Sequence, residues 1–272
     1  SDPERAGGDM PFVVLDELAV HYRDDGTGPT TVVFANSLGT DLRIWDDVVS
    51  DARSTIRSLR YDKRGHGLTE ATPPPYTVEV LAGDLLRLMD AREVDRAVLC
   101  GVSIGGLIAL EAAATHPGRV RALILCDTAA KIGDAELWNG RIEAVRTGGL
   151  GAIADGVTER WFTANFRDRR TAEHRGWQTL LLRTSVDGYT GACAAIRDAD
   201  LRERAAAIPF PALVICGSED GATPPDLVRD FARTMPAARF ELIERAGHLP
   251  CIEQPEAVVK LMHEFLGEHG LV

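Results

Sequence analysis

The sequence predicts an α/β fold: a mostly parallel central sheet flanked by helices, with a helical cap inserted into it. Three observations predict it. From Thr31 to Cys126, short apolar runs of strand character alternate with segments of helical spacing, the rhythm of a parallel sheet covered on both faces. Between Lys131 and Leu201 that rhythm lapses: no strong strand pattern occurs, and helical stretches carry Trp138, Ile142, Val145, Trp161, Phe162 and Trp177. It then resumes at Ala212-Leu213-Val214-Ile215-Cys216. The predicted division is therefore a core of residues 10–130 and 202–270, a cap of residues 131–201, and a leader or tag remnant over residues 1–9, with Met10 as the native start.

Taken in order, Phe12–Leu15 and Leu18–Tyr22 read as two strands joined by Asp16-Glu17, a hairpin. Asp24-Asp25-Gly26-Thr27-Gly28-Pro29 is a turn cluster. Thr31–Ala35 is a short apolar strand of the kind buried on both faces, and it leads into the loop Asn36-Ser37-Leu38-Gly39-Thr40-Asp41. A helix follows around Ile44, Trp45, Val48 and Val49, then a strand from Ile56 to Tyr61 and the loop Asp62–Gly67. After the stiff Thr72-Pro73-Pro74-Pro75, helical spacing runs from Tyr76 to Ala91. Ala97–Cys100 and Ala122–Cys126 are strands, with a helix from Ser103 to Thr115 stopped by His116-Pro117-Gly118. Beyond the cap come a helix from Pro224 to Met235, a strand from Arg239 to Ile243 and a final helix from Glu256 to Glu268.

Composition narrows the functions. The apolar and charged fractions, 45% and 26%, are those of an ordinary globular protein. A net charge of −11 argues against non-specific nucleic-acid binding, which needs a basic face. It leaves room for an anionic small substrate held by a local arginine. Five cysteines are an odd number, and Cys100, Cys126 and Cys216 sit in apolar runs, so no disulfide framework is implied and a cytoplasmic location fits. No signal peptide is visible, and the longest uncharged apolar run, Ala97 to Leu110, is too short to span a bilayer. No membrane association is expected, and nothing sets the oligomeric state.

The chemistry-bearing stretch is Gly101-Val102-Ser103-Ile104-Gly105-Gly106, set between a strand and a helix. A turn straight from strand into helix crowds both flanks of its central residue, and glycine two places before and after relieves that crowding. G-x-S-x-G alone recurs by chance. With a strand before it and a helix after it, the pattern resembles the nucleophile elbow of α/β-hydrolases. An elbow serine needs a base, and the base needs an acid to orient it. In that fold the chain order is Ser, then Asp or Glu, then His. Cys216-Gly217-Ser218-Glu219-Asp220-Gly221 and Ala246-Gly247-His248-Leu249-Pro250 each follow an apolar strand in that order. Ser103, Asp220 and His248 are the expected triad. Asp127, after the strand that follows the elbow, is the competing acid. The remaining histidines, among them His66, His116, His263 and His269, fit less well by chain order or position. The oxyanion donors expected are the N–H groups of Ile104 and, in the loop after the first parallel strand, Leu38, each worth about 3 kcal/mol. Neither C-x-x-C nor H-E-x-x-H spacing occurs, and no G-x-G-x-x-G follows a strand, so no metal and no cofactor is expected.

Four motifs together are similar to those of the 3-oxoadipate enol-lactonases. They are Phe34-x-Asn36-Ser37-Leu38-Gly39-Thr40-Asp41-x-x-x-Trp45, Tyr61-Asp62-x-Arg64-Gly65-His66-Gly67, the elbow, and Gly217-x-x-Asp220-x-Ala222-Thr223-Pro224-Pro225. The last three occur across the superfamily; the Asn-Ser-Leu-Gly-Thr-Asp loop discriminates. Leu125–Gly133 also resembles the lactonase entry into the cap. The resemblance implies the α/β-hydrolase fold and a small lactone bearing one acetate arm, opened by Ser103 through an acyl-enzyme in the bacterial β-ketoadipate pathway. Carboxylesterases, cofactor-free haloperoxidase-like perhydrolases and hydrolase-fold receptors share the triad and remain alternatives. An anionic arm needs a local cation. Trp138 and Arg141, three apart on a cap helix, share a face. They are expected to hold the carboxylate by a two-pronged guanidinium grip and an indole N–H, with Ser37 as a further substrate contact. The other reading makes Arg141 a solvated charge and Trp138 part of the cap core. Arg64 and Lys131 are the next candidate cations.

Overall fold

The computed structural model describes residues 11–272. The leader expected over residues 1–9, with Met10, lies outside the described residues. Eight strands form one sheet: β1 (Phe12–Leu15), β2 (Leu18–Asp25), β3 (Thr30–Ala35), β4 (Ile56–Tyr61), β5 (Ala97–Val102), β6 (Val120–Cys126), β7 (Ala212–Gly217) and β8 (Ala238–Ile243), in the spatial order β1-β2-β4-β3-β5-β6-β7-β8. The hairpin β1–β2 is antiparallel and joins β4 antiparallel; every other pairing is parallel. The parallel strands are short apolar runs, and β5 and β7 are buried at every residue, as expected of strands covered on both faces.

Helices cover both sides. They are α1 (Asp46–Ala52), α2 (Val78–Ala91) and α3 (Ile104–Thr115); α4 (Ala135–Gly148), α5 (Ala154–Trp161), α6 (Ala164–Arg169), α7 (Thr171–Leu182) and α8 (Val186–Asp198); then α9 (Arg202–Ala206), α10 (Pro225–Thr234), α11 (Pro250–Glu253) and α12 (Pro255–Glu268). α3 is apolar nearly all round and buried from Ile104 to Ala113, the pattern of a helix enclosed by its neighbours. The helices α4 to α8 all fall between β6 and β7, with α4 packed on α8. Because β4 lies on one side of β3 and β5 on the other, the chain reverses its winding there. A crevice opens at the carboxyl ends of strands at such a point.

Three elements differ from expectation, among them α9, where no helix was predicted. β2 runs on through Asp24 and Asp25, which were expected in a turn, because both pair with β4 and both carboxylates are neutralised: Asp24 by Arg57 and Arg92, Asp25 by Arg60. The four-residue α11 is too short to leave a periodic signal, although Pro250 sits at its start, where proline is favoured. All five cysteines are free and buried. Among the described residues no helix is long and apolar enough to cross a membrane.

Candidate active site

Ser103 sits between β5 and α3 with φ 58° and ψ −120°, a strained conformation for a residue with a side chain. The turn is possible because of its glycines. A Cβ on Gly101 would lie 2.1 Å from the Gly105 carbonyl oxygen, and one on Gly105 would lie 2.4 Å from that of Ala35. The Ser103 N–H donates to the Cys126 carbonyl at 3.0 Å, and the Ser103 carbonyl accepts from Thr128 Oγ1 at 2.7 Å. The strained residue is thereby fixed from both sides, and its hydroxyl is left to the cavity.

That cavity, of about 230 Å³, is lined by Ser103 and His248 together. His248 Nδ1 lies 2.9 Å from Asp220 Oδ2. An ionised carboxylate only accepts, so Nδ1 carries the proton and Nε2 is free to act as a base. Asp220 also accepts from the Ala222 N–H at 2.7 Å, the Thr223 N–H at 3.0 Å and Thr223 Oγ1 at 2.7 Å. Burial alone would push this carboxyl up, but the His248 charge and hydrogen bond, followed by hydrogen bonding with Asp127 and the Thr223 hydroxyl, outweigh it and hold it below its ordinary value. The histidine loop is tied to the helical insertion. The His248 N–H donates to the Trp161 carbonyl at 3.0 Å. Glu253 accepts from the Gly247 N–H at 2.6 Å and from Thr163 Oγ1 at 2.7 Å.

Asp127 lies behind the acid, not beside the histidine. Its Oδ1 accepts from the Gly217 N–H at 2.8 Å, and its carboxyl lies against that of Asp220. Asp127, Cys216 and Asp220 each bring an atom within 4.8 Å of the others. No spacing in the sequence signals this cluster. Burial, and then the Asp220 charge, push the Asp127 carboxyl well above its usual range, and burial likewise pushes the Cys216 thiol up. Within the cluster the proton is thus held more tightly by Asp127 than by Asp220. Unfolded Asp127 releases its proton above pH ~3.9 while the folded residue retains it, so stability falls as pH rises from there towards the folded value. Asp127→Asn removes that loss. Melting temperatures should show the variant above the parent at pH 8 and level with it at pH 3.5; equal differences at both pH values would mean that Asp127 is ionised in the fold.

The loop after β3 brings Leu38 to the cavity wall. Neither the Leu38 N–H nor the Ile104 N–H is hydrogen-bonded among the described residues. Ile104 opens α3, whose first-turn N–H groups are unpaired and bear partial positive charge. Two unused donors thus lie on the segments that flank Ser103.

The insertion supplies the rest of the wall: Trp138 and Arg141 from α4, Arg160 and Trp161 from α5, Tyr189 from α8. Three expectations are corrected. The Ser37 side chain is not in the cavity wall; its hydroxyl bonds Thr40 Oγ1 at 2.9 Å, closing the loop on itself. The indole N–H of Trp138 is committed to the Ile132 carbonyl at 2.7 Å, so it has no donor left for a substrate. It instead presents its ring to Arg141, whose guanidinium carbon lies 5.5 Å from the ring centroid. Arg64 and Lys131 are also engaged elsewhere: Arg64 grips Asp84 at 2.8 and 2.9 Å, and Lys131 Nζ bonds the Arg197 and Ala199 carbonyls at 2.8 and 3.0 Å. Arg141 does face the cavity, with Tyr189 Oη at 3.3 Å as its hydrogen-bond partner. Arg160, which the sequence reading overlooked, faces it too. Its stem packs on Gly221 in the acid loop, and burial and then the Arg141 charge lower its pKa. Neither arginine forms an ion pair among the described residues.

An elbow serine at the switch point of a mostly parallel sheet, backed by a buried histidine–aspartate pair, defines an α/β hydrolase. Residues 32–261 match the sequence model of the alpha/beta hydrolase family, and the chain belongs to that family. It is an ester-hydrolysing enzyme. It is 35% identical over 249 residues to 3-oxoadipate enol-lactonase 1 of Acinetobacter baylyi, covering 92% of each chain. The crystal structure of the enol-lactonase from Burkholderia xenovorans superposes with a TM-score of 0.91 at 41% identity, covering 94% of this chain and 100% of that one. A thermophilic esterase from Thermogutta terrifontis superposes at 0.89 with 28% identity, covering 95% and 98%.

Proposed function

We propose that the protein hydrolyses 3-oxoadipate enol-lactone to 3-oxoadipate. The observation that carries this reading is the pair Arg141 and Arg160, two guanidiniums facing the Ser103 cavity with no acid paired to either among the described residues. Both guanidiniums are half-buried, and positive charge partly withdrawn from water beside the nucleophile suits an anionic substrate. The enol-lactone offers one carboxylate, on its acetate arm. The relatedness to two enol-lactonases supports the same assignment.

In this mechanism Ser103 Oγ attacks the lactone carbonyl while His248 Nε2 takes its proton. Asp220 keeps the ring in the right tautomer and stabilises the imidazolium. The Leu38 and Ile104 N–H groups hold the oxyanion. Collapse of the tetrahedral adduct breaks the ring C–O bond and expels an enolate, which takes a proton and becomes the ketone. Water, deprotonated by His248, then attacks the acyl-enzyme and releases 3-oxoadipate and free Ser103. Arg141 and Arg160 hold the acetate arm throughout, and Trp138 keeps the Arg141 guanidinium in place by its ring face. The reaction takes place in the cytoplasm and needs no metal or cofactor.

Arg141→Ala should raise KM for the enol-lactone by one to two orders of magnitude, since a charge-assisted bond is worth about 1.5–3 kcal/mol. Arg160→Ala should act in the same direction. Hydrolysis of neutral nitrophenyl acetate should barely change in either variant. Steady-state kinetics on both substrates checks this; equal losses on the two, or none on either, would remove the arginines as the carboxylate anchor.

A further inference from the structure

The loop after β4 carries Lys63, whose side chain is 1% exposed and forms no ion pair among the described residues. Burying an amine this way is costly, and here burial also pushes its pKa well down. Among the described residues the amine's one hydrogen bond goes to the carbonyl of Ser37, to which Nζ donates. The same oxygen accepts from Thr40 Oγ1 at 3.0 Å, Asn36 Nδ2 at 3.2 Å and the Thr40 N–H at 3.4 Å. The Lys63 N–H in turn donates to Asn36 Oδ1 at 3.2 Å, so the loops after β3 and β4 are locked together.

The far end of that peptide unit is the Leu38 N–H. In a trans peptide the C=O and N–H point in opposite directions within one plane. Donors converging on the Ser37 oxygen therefore fix the direction of the Leu38 N–H, which has no acceptor of its own among the described residues. We propose that Lys63, seconded by Thr40, is a positioning residue that aims the Leu38 N–H at the oxyanion formed on Ser103. The inference rests on the reading of Leu38 as an oxyanion donor. Lys63 itself is not in the cavity wall and touches no substrate.

The test uses nitrophenyl acetate, so that its outcome does not depend on the lactone, and a boronic acid that forms a tetrahedral adduct with the serine. Lys63→Met keeps the length of the side chain and deletes the donor. It should lower kcat roughly 10- to 100-fold, less than the ~10²–10³-fold expected for losing a donor outright. KM should stay nearly unchanged, and the boronate Ki should rise by the factor that kcat falls. Thr40→Val should do the same to a smaller extent, and carries the test if Lys63→Met does not fold. A fall in kcat with boronate affinity intact would overturn the proposal, as would wild-type kinetics. Replacing Leu38 by its α-hydroxy acid turns the amide into an ester and removes only the N–H. If boronate binding survives that change, the oxyanion assignment fails; if it weakens there but not in Lys63→Met or Thr40→Val, the role of Lys63 alone fails.

Discussion

Ser103→Ala is expected to abolish hydrolysis of every ester and lactone while leaving the fold intact. The hydroxyl forms the covalent bond, and in a serine hydrolase the loss of a triad nucleophile costs roughly 10⁶-fold in kcat. The two other hydroxyls in the cavity wall are already engaged, Tyr189 Oη by Arg141 and Thr223 Oγ1 by Asp220, and neither sits on the elbow. The fold should survive because the elbow is held by its backbone: the Ser103 N–H and carbonyl are both bonded, and the tight approaches are made by Gly101 and Gly105. Near-normal turnover in a clean Ser103→Ala preparation, with an unchanged melting temperature, would remove the covalent mechanism.

Asp220→Asn should lower kcat by roughly 10⁴-fold, the cost of the wrong tautomer in a serine protease. An asparagine at 220 offers His248 Nδ1 a donor as readily as an acceptor, and the imidazolium loses its counter-charge. Asp127→Asn should cost far less. Asp127 contacts the Gly217 N–H and not the histidine, and an amide can stand in for a carboxyl whose burial favours the protonated form. Kinetics of the two variants side by side decides the matter: the reverse ranking would move the acid to the end of β6.

Much of this was legible in the sequence because backbone demands write themselves in residue types. The parallel strands are short apolar runs that must be buried on both faces. The elbow spells its own geometry in Gly101, Ser103 and Gly105, and the order of Asp220 and His248 follows from where the strands end. What stayed hidden depends on where side chains point. Trp138 and Arg141 do share a face, but no spacing shows that the indole N–H is taken by the Ile132 carbonyl. Ser37 belongs to the loop that marks the resemblance, yet its hydroxyl turns to Thr40. Arg160 sits in a helix rich in charges, and only the packing of α5 on the acid loop turns it into the cavity. Lys63 falls in a stretch read only as a loop, and its burial is set by the contact of two loops 26 residues apart in the chain.

The most direct measurement is the ultraviolet absorbance of 3-oxoadipate enol-lactone, followed after addition of the wild-type protein. The account predicts rapid loss of the lactone, with kcat/KM in the enzymatic range of about 10⁴–10⁸ M⁻¹ s⁻¹ and well above that for nitrophenyl acetate. Turnover of the neutral ester with the lactone left intact would contradict it and make the protein a carboxylesterase; slow turnover of both would point to a receptor built on the same triad.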